Sequence, residues 1–262
     1  MEGEFMRQEA LVEKNHQAEK KEAFAGQQAF IDEIKRVGFG RYAESLPNLA
    51  DAFDLEKHKV ENFSHAICCM DERTPCGIHA AGSGILLPPK DFETYMQATQ
   101  PDLLTSHDNC GAGKLYCLAH GLPVENSDQI ARAWAEEQAK KYGLPHRHLA
   151  VKKDFHFARA CYYDLTGQLN NDLAAGLPDG FVISRAYMNK KNSLHEAKIA
   201  LDIIFGDHGL GKEFLTAENP FLVTAVAWDE GELKAIKKEL AELENPYGDL
   251  MRFEAFLAPL PE

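Results

Sequence analysis

Cys69-Met70-Asp71-Glu72-Arg73 sets a thiol, a carboxylate and a guanidinium at alternate positions, and His107 is followed three residues later by Cys110 and then Gly111. Two sulfurs and one imidazole form a borderline-soft donor set that suits Zn(II), and three protein ligands leave a fourth position for water. The spacing therefore predicts Cys69, His107 and Cys110 as ligands of one Zn2+ ion. A closed structural site would need a fourth Cys or His, and Cys68 and Cys76 lie near enough in sequence to supply one. In a regular strand Cys68 faces away from Cys69, whereas Cys69, Asp71 and Arg73 share a face. A strand cysteine taken singly is an ordinary small core residue. Two such motifs in this order, each at a strand end, are specific.

The elements that would carry these residues follow from local pattern. Phe63 to Arg73 runs from an apolar stretch into a polar tip, as a strand ending in functional residues does. Residues 77–87 read as a small-residue loop leading into a strand, and residues 92–100 as a short helix. Leu103-Leu104-Thr105 predicts a brief strand that delivers His107 and Cys110, with a helix from Lys114 to His120. Residues 127–142 predict a capped amphipathic helix stopped by Gly143. Beyond His156 an apolar strand leads to a turn at Thr166-Gly167, and Ser193 with Glu196 forms a capping-box pair opening a helix to about Phe205. Phe221 to Ala227 reads as a buried strand and Glu232 to Leu243 as a periodic helix. Strands alternating with helices give an α/β fold with a mostly parallel central β-sheet flanked by helices.

Residues 1–37 are rich in Glu, Lys, Gln and Ala, with a late apolar stripe at Phe24, Phe30, Ile31, Ile34 and Val37. They predict an N-terminal helical arm, either solvated or packed on a partner subunit. The expected organisation is an arm over residues 1–45 and a single α/β zinc-binding catalytic domain over 46–262, without an internal repeat.

Bulk composition narrows the class. The net charge of -13 argues against nucleic acid, which needs clustered Lys and Arg. No run approaches the ~20 apolar residues of a membrane span, and the first residues carry no apolar signal region. A cytoplasmic protein is the expectation, with six cysteines too few for a disulfide framework. Other signals fail on inspection. Gly111-Ala112-Gly113-Lys114 lacks the first glycine and the final hydroxyl residue of a phosphate loop. His146, His148 and His156 read as a solvated loop, and Asp207-His208 as a turn.

C-x-D-x-R followed by H-x-x-C-G resembles the metal-site signature of the β-carbonic anhydrases. His79-Ala80-Ala81-Gly82 sits where that family carries R-N-A-G, and Cys161 to Leu169 is similar to its later strand running into a Tyr-Asp and Thr-Gly turn. The resemblance covers roughly residues 60–170. It implies reversible hydration of CO2 to bicarbonate by a zinc-held water, with Asp71 orienting that water and Arg73 restraining Asp71. It also implies substrate contacts at Gly82 and Gly111 and a homodimer or dimer-based oligomer, while His79 reads either as a proton shuttle or as a structural histidine. Two thiolates cancel the charge of Zn(II), so activity should favour mildly alkaline pH. The same site suits hydrolysis of carbonyl sulfide or carbon disulfide. A fourth cysteine ligand would instead make a non-catalytic zinc or bicarbonate-binding module.

Overall fold

The computed structural model describes residues 16–53, 63, 65–75, 77–151, 153, 155–170, 176–206, 208–243 and 245–260. Among them the chain forms two four-stranded sheets, each wholly parallel, flanked by helices. The first comprises β1 (Ala66–Cys68), β2 (Ile78–His79), β3 (Leu103–His107) and β4 (His146–Leu149), in the order β2-β1-β3-β4. The second comprises β5 (Ala160–Asp164), β6 (Gly180–Ser184), β7 (Phe221–Ala227) and β8 (Met251–Leu257), in the order β6-β5-β7-β8. In both halves the second strand lies outside the first, and the third and fourth extend the other way. The expected parallel α/β architecture is present, divided between two sheets, and a repeat that no sequence similarity revealed is present in the topology.

The halves meet through their equivalent second strands. β2 packs against β6, the Val182 N–H donates to the Met70 carbonyl at 3.0 Å, and the His79 N–H donates to Ser184 Oγ at 2.9 Å. One apolar core spans the junction, joining Ile67 and Leu104 to Cys161, Tyr163, Phe181 and Val223.

Helices follow from local signals. α1 (residues 16–26), α2 (Gln28–Val37) and α3 (Phe39–Glu44) form the N-terminal region. Ile31, Ile34 and Phe39 are buried against Tyr162, Val182, Leu222 and Phe256, so the apolar stripe covers the chain's own second sheet. The first fifteen residues of the expected arm lie outside the described residues.

α4 (Pro89–Thr99) starts with proline in its first turn, where the missing N–H is harmless. α5 (Gly111–His120) and α6 (Ser127–Tyr142) both stop at a left-handed glycine, Gly121 and Gly143. α7 (Lys190–Phe205) is capped by Asn189, whose side chain accepts the Asn192 N–H, and not by the anticipated Ser193 and Glu196 pair. The pattern matched, but Glu196 points to another element. α8 (Gly211–Phe214) is a single turn, and α9 (Glu230–Leu240) is capped by Asp229.

Residues 77–87 carry only the two-residue β2, followed by a tight turn over residues 81–84. His146-Arg147-His148-Leu149 is strand β4 rather than loop. His208 is described at the expected turn, while Asp207 lies outside the described residues. No helix among the described residues is long and apolar enough to cross a membrane.

Candidate metal centre

β1 and β3 are neighbours, so the residues at their C-terminal ends converge. Cys69 follows β1, His107 is the last residue of β3, and Cys110 is the N-cap of α5. Their ligand atoms all lie within 4.8 Å of one another, and all three side chains are buried. Asn109 makes the bend between His107 and Cys110 in left-handed conformation (φ 54°), which Asn tolerates well. Asp128, in the first turn of α6, fixes that bend by accepting the N–H groups of Asn109 at 3.0 Å and Cys110 at 3.3 Å.

The imidazole is oriented for coordination. His107 Nδ1 donates to the Asp108 carbonyl at 2.8 Å, while buried Nε2 has no hydrogen-bond partner. A ring nitrogen buried without a partner carries a desolvation cost of about 1–3 kcal/mol, which a metal bond would remove. Burial would depress the His107 pKa, but the Cys69 sulfur and the Asp71 carboxylate raise it to about 9.

Each sulfur has backbone donors. The Gly82 N–H donates to Cys69 Sγ at 3.1 Å. The Cys110 thiol is shifted downward, first by a hydrogen bond from Cys69 and then, against burial, by N–H groups of Gly113 and Ala112. Cys69 moves upward in consequence, and burial adds to it. The set is one that holds protons until a metal displaces them.

Asp71 and Arg73 meet through a turn. β1 ends at Cys68, so they are not on an extended strand as the alternation suggested; the Thr74 N–H closes the turn onto the Asp71 carbonyl at 3.1 Å. Arg73 Nε donates to Asp71 Oδ1 at 2.7 Å, Nη2 donates to Oδ2, and the Arg73 N–H adds a bond at 2.9 Å. Arg73 Nη1 is anchored on the Lys153 carbonyl at 2.7 Å. Asp71 Oδ2 lies 3.7 Å from His107 Nε2, next to the ligand atoms. Burial would raise the Asp71 pKa, yet His156, Arg73 and His107 hold it well below the usual carboxylate range.

His156 is the residue the sequence hid. It is buried, not solvated, with Nδ1 3.1 Å from Glu72 Oε2 and Nε2 3.4 Å from Arg73 Nη2. With Asn109, Gly111, Lys114 and Ile203 it lines a cleft of about 490 Å³ beside Cys110. The other two histidines join a different network, with Ser106 Oγ 3.0 Å from His146 Nε2 and 2.8 Å from His148 Nδ1.

Gly111 lines the cleft, whereas Gly82 lies against the candidate ligands. A Cβ on Gly82 would come 2.9 Å from the Ala112 Cβ and 3.6 Å from Cys110 Sγ. His79 is buried, with Nδ1 2.8 Å from the Cys69 carbonyl, so it braces a ligand. Cys68 faces a separate small cluster with Phe63 and Ala66, and it is disulfide-bonded, which removes it as a fourth ligand. Cys76, the other candidate for a closed site, lies outside the described residues.

The arrangement offers a metal ion two sulfurs and one nitrogen, beside a restrained carboxylate. No protein-family model matches the chain, and no curated protein or solved structure matches it either.

Proposed function

We propose that the chain is a zinc enzyme that hydrates CO2 to bicarbonate. The observation that carries this reading is the buried three-ligand group of Cys69, His107 and Cys110, with a carboxylate beside it that Arg73 keeps turned toward itself. Zinc bound there would supply Lewis acidity, lowering the pKa of a water at its open position into the mildly alkaline range.

The residues provide the rest. Cys69, His107 and Cys110 hold the ion. Asp71, kept ionised, accepts a hydrogen bond at Oδ2 and so fixes the direction of a donor in the site. Arg73 occupies both carboxylate oxygens in a fork geometry that Lys lacks, which keeps Asp71 from becoming a ligand itself. Gly111 sits at the first position of α5, the end of a helix that favours an anion such as bicarbonate. His156 lines the cleft with Nδ1 3.8 Å from Asp71 Oδ2 and would be the group to relay a proton from the site toward solvent.

The test is a stopped-flow CO2 hydration assay at mildly alkaline pH on zinc-loaded protein, with carbonyl sulfide as a parallel substrate. Hydration well above the buffer rate is expected. Turnover of carbonyl sulfide alone would move the assignment to a hydrolase, and inactivity on both would leave a binding module.

A further inference from the structure

We infer that Glu196, supplied by the half that carries no ligands, is a positioning residue of the metal centre, holding the 81–84 turn so that Gly82 stays bonded to the Cys69 sulfur. The inference rests on the metal reading above but not on the CO2 chemistry.

Glu196 lies on α7 with 1% of its surface exposed. Its Oε1 accepts the Ala81 N–H at 2.9 Å, and the next amide along the chain, that of Gly82, donates to Cys69 Sγ at 3.1 Å. One side chain from the second half thus fixes the peptide just before the one whose N–H serves Cys69 in the first. The turn needs holding. Gly82, Ser83 and Gly84 have φ of 56°, 57° and 99°, and a non-glycine residue in that region costs about 1–2 kcal/mol.

A purely packing role would be filled better by an apolar residue. Glu196 Oε2 is buried with no hydrogen-bond partner, as is the hydroxyl of neighbouring Tyr95. Burial without a second partner pushes the Glu196 pKa up to about 8, so the carboxyl is largely neutral at pH 7. A neutral amide of the same shape should then reproduce its acceptor. That gives a rescue variant, which a nonspecific packing role would not predict.

The experiment measures metal affinity by chelator competition and the thiolate-to-metal charge-transfer band of Co(II)-loaded full-length protein. Glu196→Gln should match wild type in both. Glu196→Ala and Glu196→Asp, which remove or retract the acceptor, should each weaken binding roughly 10–100-fold, the usual effect of losing an outer partner of a ligand. Their charge-transfer band should shift as the Cys69 sulfur loses its donor. Circular dichroism identifies any variant that fails to fold, and Glu196→Asp keeps the test open if Glu196→Ala does. Wild-type affinity and spectrum in a folded Ala or Asp variant would overturn the inference while leaving the metal reading intact. Absence of Co(II) and Zn(II) binding by the wild type would overturn the metal reading itself, and this inference with it.

Discussion

The two sheets have the same strand order and the same parallel sense, yet among the described residues only one of them gathers at its strand ends a Cys-His-Cys group that could hold a metal. After β1, β2 and β3 come Cys69, Ala80 and the His107 to Cys110 bend. After β5, β6 and β7 come Leu165, Arg185 and Trp228. Topology brings strand ends together in both halves, so the arrangement of strands does not by itself make a site. At the C-terminal strand ends hydrogen bonding separates them, although deeper in the second half Thr224 Oγ1 and Glu196 Oε2 also lack partners among the described residues. In the second half Asp164 accepts from Thr166 through its N–H at 2.9 Å and its hydroxyl, and from the Leu169 N–H at 3.2 Å. Arg185 and Tyr163 both donate to Glu239. In the first half His107 Nε2 is left without a partner. The second half also has the longer strands, with β5, β6 and β7 buried along their whole lengths. It acts as the foundation on which a shorter, less self-contained half holds its ligands.

The comparison breaks most sharply if ligand substitutions leave metal in place. Cys69→Ser and His107→Ala should each reduce bound zinc from about one ion per chain to near zero at micromolar protein, measured by elemental analysis, because a three-ligand set tolerates no loss. Asp164→Asn, at the strand end of the other half, should retain its zinc. Equal zinc in all samples would remove the centre from the first half altogether.

A smaller effect belongs to the restraint on Asp71. Arg73→Ala leaves all three ligands in place, so zinc content should hold. Hydration should fall well over tenfold, since the freed Asp71 carboxylate can take the position the water needs, and each ~1.4 kcal/mol of lost transition-state stabilisation is a decade. Asp71→Asn should also be slow, but a neutral amide cannot close the site as a freed carboxylate can. Stopped-flow rates at equal zinc loading compare the three proteins, and an unchanged rate in Arg73→Ala would sink the restraint.

What could be read from the sequence follows the same division. The grouping of Cys69, His107 and Cys110 was legible because each motif is local: Cys110 follows His107 by three positions, and Cys69 sits in a run that visibly changes from apolar to polar. The span of α6 was legible, with its stop at Gly143, although no side chain caps its start as expected, and β7 was legible from its unbroken apolar run. His156 was not, because what buries it is Glu72, 84 positions earlier. Glu196 fitted a cap pattern while its true partner, Ala81, lies 115 positions away. The local pattern marks no strand at β6 or β8, and the His-Arg-His of β4 reads as a loop because it is polar. As an edge strand beside β3, β4 tolerates that polarity. The doubled topology left no trace because two sheets can share an order without sharing residues.

Acid titration should expose the second half by itself. Burial raises the Asp164 pKa from 3.8 to about 6 despite its hydrogen bonds from Thr166 and Leu169. The folded state therefore holds that proton more tightly than the unfolded chain. The stabilisation is fully present below about pH 3.8 and is lost as pH rises through about 6. The span is roughly 3 kcal/mol. Urea midpoints measured from pH 4 to 7 should show this contribution in wild type and lack it in Asp164→Asn, with zinc removed so that the ligands contribute equally to both. Parallel pH profiles would mean that Asp164 titrates normally.

The smallest effect tests whether the halves are separable in function. Arg185 follows β6 as Ala80 follows β2, but where the first half turns its chain toward Cys69, the second sends a guanidinium to α9. Arg185 Nε and Nη2 lie 2.8 and 3.2 Å from the Glu239 oxygens, Nη1 donates to the Met188 carbonyl, and the side chain is 20% exposed. Solvent reaches the pair, so its loss should cost less than that of the enclosed Arg73 and Asp71. Hydrogen bonds to charged groups contribute about 1.5–3 kcal/mol each, and partial exposure brings the expected cost of Arg185→Ala to about 2 kcal/mol. That loss should appear in the urea midpoint with the slope unchanged. Metal affinity should stay within about twofold of wild type, because Arg185 touches neither the 81–84 turn nor a ligand. A tenfold weakening of metal binding at normal stability would show that the second half reaches the centre by a route other than Glu196, and the contrast between a foundation and a site would then fail.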